Sequence, residues 1–283
     1  MKKKWIFLII IGILSVSLIF GLVLRHYTFH LYPGIGYVEV KGIITDSEKT
    51  VSWIKKLRED SRAKAILVRI DSPGGGVASS QEIYEALLKA KEEGKPVVAS
   101  LGSVAASGGY YIACAADKIV SNPGTLTGSI GVIMEFPIVD ELLRKLGLKI
   151  EVIKSSEHKD IGSPFRPMTE REKELLEEVV LDVYDQFVEV VSNSRGIPKD
   201  TILKIADGRI LSGKQAFQYG LVDMLGTEED AIEEARKLGG IVGKPKLIKM
   251  RKRRIGLLDV LLGLFNEYLK PVNLKYIMEV PSD

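Results

Sequence analysis

AILVRIDSPGGG, residues 65–76, is the stretch that decides the fold class. Apart from Arg69 its first half is apolar, the composition of a buried strand, and SPGGG then halts it in a turn. Downstream, residues 81–93 carry a helical pattern that Gly94 stops, and PVVASL (96–101) is the next strand. Upstream, YVEVKGII (37–44) reads as a strand and residues 51–60 as an amphipathic helix. Further short strands are expected at 117–121, 131–134 and 149–154, and helices at 139–146 and 170–194. Residues 199–239 read as helical and continue the same domain. Short apolar strands alternating with helices predict an α/β fold, a parallel sheet with right-handed crossovers. No period of 20–50 residues repeats, which excludes a solenoid.

The 283 residues suit one sizeable domain, and 46% hydrophobic with 27% charged residues is a globular balance. Disorder and a small disulfide scaffold are excluded, since Cys114 is the single cysteine. The net charge of +3 is local in origin. Lys2 to Lys4 supply three positive charges and residues 244–254 supply seven, which leaves the remainder at −7. A nucleic-acid-binding surface spread over the domain does not fit that balance.

Residues 1–4 form a basic N-terminus, and WIFLIIIGILSVSLIFGLVL (5–24) follows without a charge. Such a run matches the roughly 30 Å hydrocarbon core of a bilayer. The preceding lysines favour a cytoplasmic N-terminus with the rest of the chain exported. A cleaved signal peptide is the competing reading, but its apolar region is shorter and ends in a small-x-small site that RHYTFHLYPG lacks. The expectation is a cell-membrane, single-pass protein: transmembrane signal-anchor 5–24, linker 25–36, extracytoplasmic domain 37–240 and tail 241–283. In the tail, residues 255–270 pattern as an amphipathic helix behind a basic run at 251–254. A helix docked on its own core, one lying on the outer membrane surface and one between subunits are all open there.

Two glycine-rich turns follow strands: Ser72-Pro73-Gly74-Gly75-Gly76 and Ala105-Ala106-Ser107-Gly108-Gly109. Ligands of open α/β sheets collect at the carboxyl ends of strands, where such turns sit. Ser107 stands in a small-x-Ser-x-Gly context ahead of the apolar stretch YYIACAA, approximating the elbow that presents a nucleophile. A glycine in the first turn could bring a second backbone N–H to a developing oxyanion. Two purely structural turns, with Ser107 only an N-cap, explain the same spacings. A phosphate loop is disfavoured because no GxxxxGK[ST] occurs. A nucleophilic serine needs a base. His26 and His30 lie at the membrane boundary, which leaves His158 or a lysine. A lysine serves when its pKa falls from about 10.4 toward neutral. S-x-x-K begins at Ser52, Ser61 and Ser156, so that pattern cannot choose among lysines. Asp71 reads as a turn-former, Cys114 as a small core residue, and Met134 and Phe136 as core in preference to a substrate groove.

The block GSVAASGGYYIACAADKIVSNPGTLTGSIGVI (102–133) closely resembles the short, single-domain bacterial form of signal peptide peptidase A. That family belongs to the fold group shared by Clp protease subunits and crotonases. DSPGGG (71–76), HKDIGSPFRPMT (158–169) and ADGRILSGKQAFQYGLVDMLGT (206–227) are similar to the same family. The resemblance implies Ser107 as nucleophile and Lys159 as general base. It implies oxyanion N–H groups from Gly75 and Gly108, and Ser129 orienting the lysine amine. It also implies a ring-like homo-oligomer, resembling an octameric dome, that cuts hydrophobic peptides such as released signal peptides. The residues themselves would leave Lys159 an ordinary surface lysine. No cofactor or metal is expected, since HExxH, clustered cysteines and a Walker loop are all missing from the sequence. The alternatives are a related membrane serine protease cutting one specific partner, and a crotonase-like non-peptidase or scaffold.

Overall fold

Three neighbouring parallel strands end side by side, and the rest of the fold serves to hold them there. The computed structural model describes Gly12, residues 14–21 and residues 33–250. β1 (Gly34–Lys41), β2 (Ala63–Ser72) and β3 (Val97–Ala106) are joined by α1 (Glu48–Glu59) and α2 (Val77–Glu92). After β3 come α3 (Gly108–Ala113), β4 (Lys118–Ser121), β5 (Leu126–Gly128) and α4 (Asp140–Lys145). A one-turn 3-10 helix (Glu157–Asp160) precedes the long α5 (Glu170–Arg195). α6 (Lys199–Leu203), β6 (Ile210–Ser212), α7 (Gly213–Gln218), β7 (Met224–Leu225), α8 (Glu228–Leu238) and β8 (Lys246–Lys249) complete the order.

The main path of the sheet runs β6-β5-β3-β2-β1-β8, with β4 pairing β3 and β7 off that path. Every described pairing is parallel except β5 with β6, which is antiparallel. The expected all-parallel sheet is therefore a mixed one. Side chains alternate across it as the two-residue period of a strand requires. Ile66, Val68 and Ile70 face one core with Ile54 of α1, Leu87 of α2 and Val188 of α5. Leu67 and Val98 face the other, where Ala231 and Ala235 of α8 let that helix approach closely.

Other expectations fail for identifiable reasons. Residues 131–134 and 149–154 form no strand: no residue from 131 to 171 is buried, and among the described residues no strand pairs with them. The stretch 199–239 is not uniformly helical but contains β6 and β7, which are too short to show a period. β8 pairs with β1 as an additional parallel strand. The capping box of Thr169 and Glu172 starts α5, and Gly196 in the left-handed conformation (φ 63°) ends it.

Of the expected anchor 5–24, only Gly12 and residues 14–21 are described, and they are helical. Among the described residues no helix is long and apolar enough to cross a membrane. The basic run at 251–254 and the expected helix 255–270 lie outside the described residues, as do His26 and His30. Residues up to Lys249 form one compact unit, and a second begins at Met250, of which only that residue is described.

Candidate active site

β5, β3 and β2 lie next to one another and all run the same way, so their carboxyl ends deliver three turns to one place. The β2 end supplies Gly75, the β3 end Ser107 and Gly108, and the β5 end Ser129. A bulge sets the offset between them. Ile70 pairs with Leu101, but Ser72 next pairs with Ala105, so β3 carries extra residues. Asp71 fills that bulge. Its Oδ1 accepts from the Val104 N–H at 3.2 Å, and any side chain at Gly102 would meet it at 2.9 Å. Buried Thr125 and Thr127 tie β5 to the same region, donating to the carbonyls of Gly102 (2.7 Å) and Ala105 (2.6 Å). Asp71 is thus a structural residue, but within β2 at a strand bulge and not in the turn that its reading as a turn-former expected.

Ser107 sits at the head of α3 with φ 53° and ψ −123°, a left-handed conformation that costs a non-glycine residue free energy. Its own N–H donates to the Gly128 carbonyl at 2.9 Å, and its carbonyl accepts from the Tyr111 N–H at 2.9 Å. The side chain makes no capping hydrogen bond, so Ser107 is not a simple N-cap. Instead it lines a cavity of about 700 Å³ together with Gly75, Gly108 and Ser129. α3 is held rigidly beneath it. Tyr110 donates to the Leu221 carbonyl at 2.7 Å, and the Tyr111 ring meets Tyr84 and Phe187 edge-on at 5.1 and 5.2 Å.

Two glycines of the cavity lining carry N–H groups with no acceptor among the described residues. Gly108 is the first residue of α3, where an N–H has no intrahelical acceptor. Gly75 donates to no described group, and its nitrogen lies 3.5 Å from where a Gly108 Cβ would stand. Gly75 has φ 156° and abuts Ile44 backbone atoms, so only glycine fits. Ser129 also has positive φ (49°) and donates its N–H to the Arg209 carbonyl at 2.9 Å. The remaining wall is mainly apolar, with Val132, Ile133, Leu181, Tyr184 and Phe187, and Ser80 and Gln81 add polar groups to it. The α5 residues among these were not expected, although the three-residue step from Tyr184 to Phe187 puts both rings on one helix face. At the rim, the Arg209 guanidinium holds the Asp207 carboxyl down to about 2.

Lys159 does not line this cavity. It is exposed in the 3-10 turn, and its amine has no partner among the described residues. His158 beside it is exposed as well. A single chain therefore brings Gly75, Ser107, Gly108 and Ser129 together and leaves Lys159 apart from them. Cys114 is buried, and burial pushes its thiol up to about 11, the state of an inert core residue. Met134 and Phe136 are not core: they are exposed and border a second cavity of about 540 Å³.

The family model described as Peptidase family S49 matches residues 89–241, from the end of α2 to just beyond α8. The chain belongs to peptidase family S49. Membership indicates a serine protease, and Ser107 lies inside the matched residues. A Clp protease model matches residues 40–124, which include both glycine-rich turns. A Synechocystis sp. protein provisionally assigned as a protease is 46% identical over 208 residues, 73% of this chain and 75% of that one. Protease 4 of Haemophilus influenzae is 34% identical over 224 residues, 76% of this chain but 36% of that one. The chloroplastic serine protease SPPA of Arabidopsis thaliana is 35% identical, covering 81% of this chain and 34% of that one. Among solved structures, a ClpP1 mutant of Listeria monocytogenes aligns with TM-score 0.48 at 19% identity, over 69% of this chain and 94% of that one.

Proposed function

We propose that this S49 chain is a membrane-anchored serine endopeptidase that cleaves apolar peptides, released signal peptides among them, with Ser107 as nucleophile and Lys159 as base. Ser107 Oγ adds to the scissile carbonyl while its proton passes to a neutral lysine amine. The Gly75 and Gly108 N–H groups receive the oxyanion. Collapse breaks the C–N bond, the lysine ammonium protonates the leaving amine, and water then releases the acyl group by the same route in reverse. Ser129, beside the serine, orients the lysine amine. The apolar wall of Val132, Ile133 and Leu181 suits apolar substrate side chains.

The observation that carries this reading is the left-handed Ser107, uncapped and open to a cavity that holds two donor N–H groups. Lys159 is supplied by a neighbouring copy of the chain in a homo-oligomeric ring, which accounts for its standing apart from Ser107 in one chain. Mixing inactive Ser107→Ala with inactive Lys159→Ala protein tests this. Some interfaces then pair an intact serine with an intact lysine, so peptidase activity returns. Failure to complement, in rings shown by mass to be mixed, refutes the shared site. Retention of more than about a tenth of wild-type kcat/KM by Lys159→Ala refutes the lysine base.

A further inference from the structure

The segment that carries Lys159 has no core of its own. No residue from 131 to 171 is buried, and the first buried side chain after it is Glu172, 3% exposed, in the opening turn of α5. What fixes the lysine-bearing turn is a chain of charged hydrogen bonds that ends on this residue. The Arg166 guanidinium donates to both oxygens of Asp160, at 2.9 and 2.8 Å. Through Nη1, and through the same Nη2 that reaches Asp160, it donates to both oxygens of Glu172, at 2.8 and 2.5 Å. Glu172 in turn accepts from the Thr169 N–H at 2.9 Å in the capping box. Lys154 closes the other side, donating to the Glu157 carbonyl at 2.7 Å and to Asp160 at 2.6 Å.

Asp160, only 13% exposed, thus receives Arg166 and Lys154 on the residue directly after Lys159, while the Lys159 amine itself stays unpaired among the described residues. A planar fork paired with two carboxylates at once fixes direction as well as distance, which a lysine in its place could not do. The path continues to the nucleophile, because α5 further along lines the Ser107 cavity with Tyr184 and Phe187.

From this arrangement we infer that Asp160 and Arg166 are positioning residues: they dock the Lys159 turn on the first turn of α5 and so set where the amine is presented. The inference rests on the Ser107–Lys159 reading above. Neither residue lines the Ser107 cavity, so the role is exerted through Lys159 alone.

The decisive variant is Asp160→Asn in the full chain, which removes the clamp on the turn but leaves Arg166 on Glu172 and α5 capped. With kcat and KM measured on an apolar peptide across pH, kcat falls on the order of 10- to 100-fold, as displacement of a catalytic group does, while KM holds. The alkaline-rising limb of the profile also moves to higher pH, because a lysine amine that spends more time in water keeps its proton longer. Removing the neighbouring carboxylate by itself would move the limb to lower pH, so the direction separates positioning from simple electrostatics. Arg166→Lys keeps the charge without the fork and shifts the limb the same way; it decides the matter should Asp160→Asn fail to fold. An unmoved or lowered limb, or a loss equal at every pH that follows the folded fraction, overturns the inference. Lys159→Ala, run alongside, separates the two readings. If it is inactive while Asp160→Asn behaves as wild type, only the positioning role falls. If it is active, the lysine base falls and the inference with it.

Discussion

Replacing Gly75 by alanine asks whether the first glycine-rich turn serves catalysis or only folding. A Cβ at this position would stand 2.6 Å from the Ile44 nitrogen and 2.8 Å from its carbonyl carbon, and would collide with its oxygen. These are backbone atoms that cannot rotate away. They are also tied to the turn itself, since the Ile44 N–H donates to Gly74 (2.9 Å) and the Gly76 N–H donates to Ile44 (2.7 Å). Ordinary contact begins at 3.4 Å, so the turn must retreat by about 1 Å. Breaking both bonds costs about 2 kcal/mol of stability at roughly 1 kcal/mol each. The same retreat carries the Gly75 N–H out of the 2.7–3.1 Å range in which a donor stabilises an oxyanion. Loss of one such donor lowers kcat by about 10²–10³, or roughly 2.7–4 kcal/mol. Gly94→Ala is the control. It has positive φ (81°) but open space around it, so it costs about 1–2 kcal/mol of backbone strain and leaves kcat alone. The assay is steady-state cleavage of an apolar fluorogenic peptide beside urea denaturation of both variants. A folded Gly75→Ala protein with kcat within about threefold of wild type would show that this N–H does no catalytic work.

Two further outcomes follow from the charged groups. Glu172 is held down to about 2 chiefly by Arg166, with the Thr169 N–H next. A carboxyl depressed on folding stabilises above its unfolded value near 4.5 and loses that contribution as pH falls toward 2. Acid unfolding followed by circular dichroism should therefore steepen below about pH 4.5, and Glu172→Gln should flatten that limb; identical curves would contradict the assignment. Asp223 accepts from Arg195 at 2.9 Å and from the Ile119 N–H at 2.8 Å, with the Arg195 side chain 7% exposed. Asp223→Ala should cost about 3 kcal/mol by stranding a buried cation, and a urea midpoint unchanged from wild type would show the pair to be inconsequential.

The parts of this molecule that were legible in the sequence share one property: the chemistry is decided by near neighbours along the chain. Residues 65–76 declare a strand and its stop because apolar period and glycine are both local signals, and β2 runs into Gly74 and Gly75 as expected. The same holds for Ser107, whose small flanking residues permit a left-handed turn. What stayed hidden depends on partners far away in sequence. β6 pairs with β5 across some eighty residues, and β8 with β1 across some two hundred, in strands too short to announce themselves. Asp71 looks like any turn-former until the bulge at Gly102 is seen to wrap around it. The alternation in KIEVIK, residues 149–154, is a genuine strand pattern, yet nothing among the described residues pairs with it. Leu148, Ile150 and Val152 remain about half exposed as a result, and Ile153 fully so.

That unpaired segment and the separation of Lys159 from Ser107 are, on the proposed reading, one fact. Strand ends that the core already fixes build the nucleophile and its donors, so this half exists whenever the chain is folded. On that reading the base rides on a segment held chiefly by Arg166, Lys154 and their carboxylates, with apolar residues open to water along it. A serine without its base loses on the order of 10²–10⁴ in rate, so on that reading a lone chain would have an assembled oxyanion site and almost no cutting power. Covering the exposed Ile133, Leu146 and Ile153 with a second copy would, on that reading, supply free energy of association, and the same step would seat the lysine. On the proposed reading apolar burial and catalytic competence would then rise together, and activity would appear only where copies of the chain are concentrated.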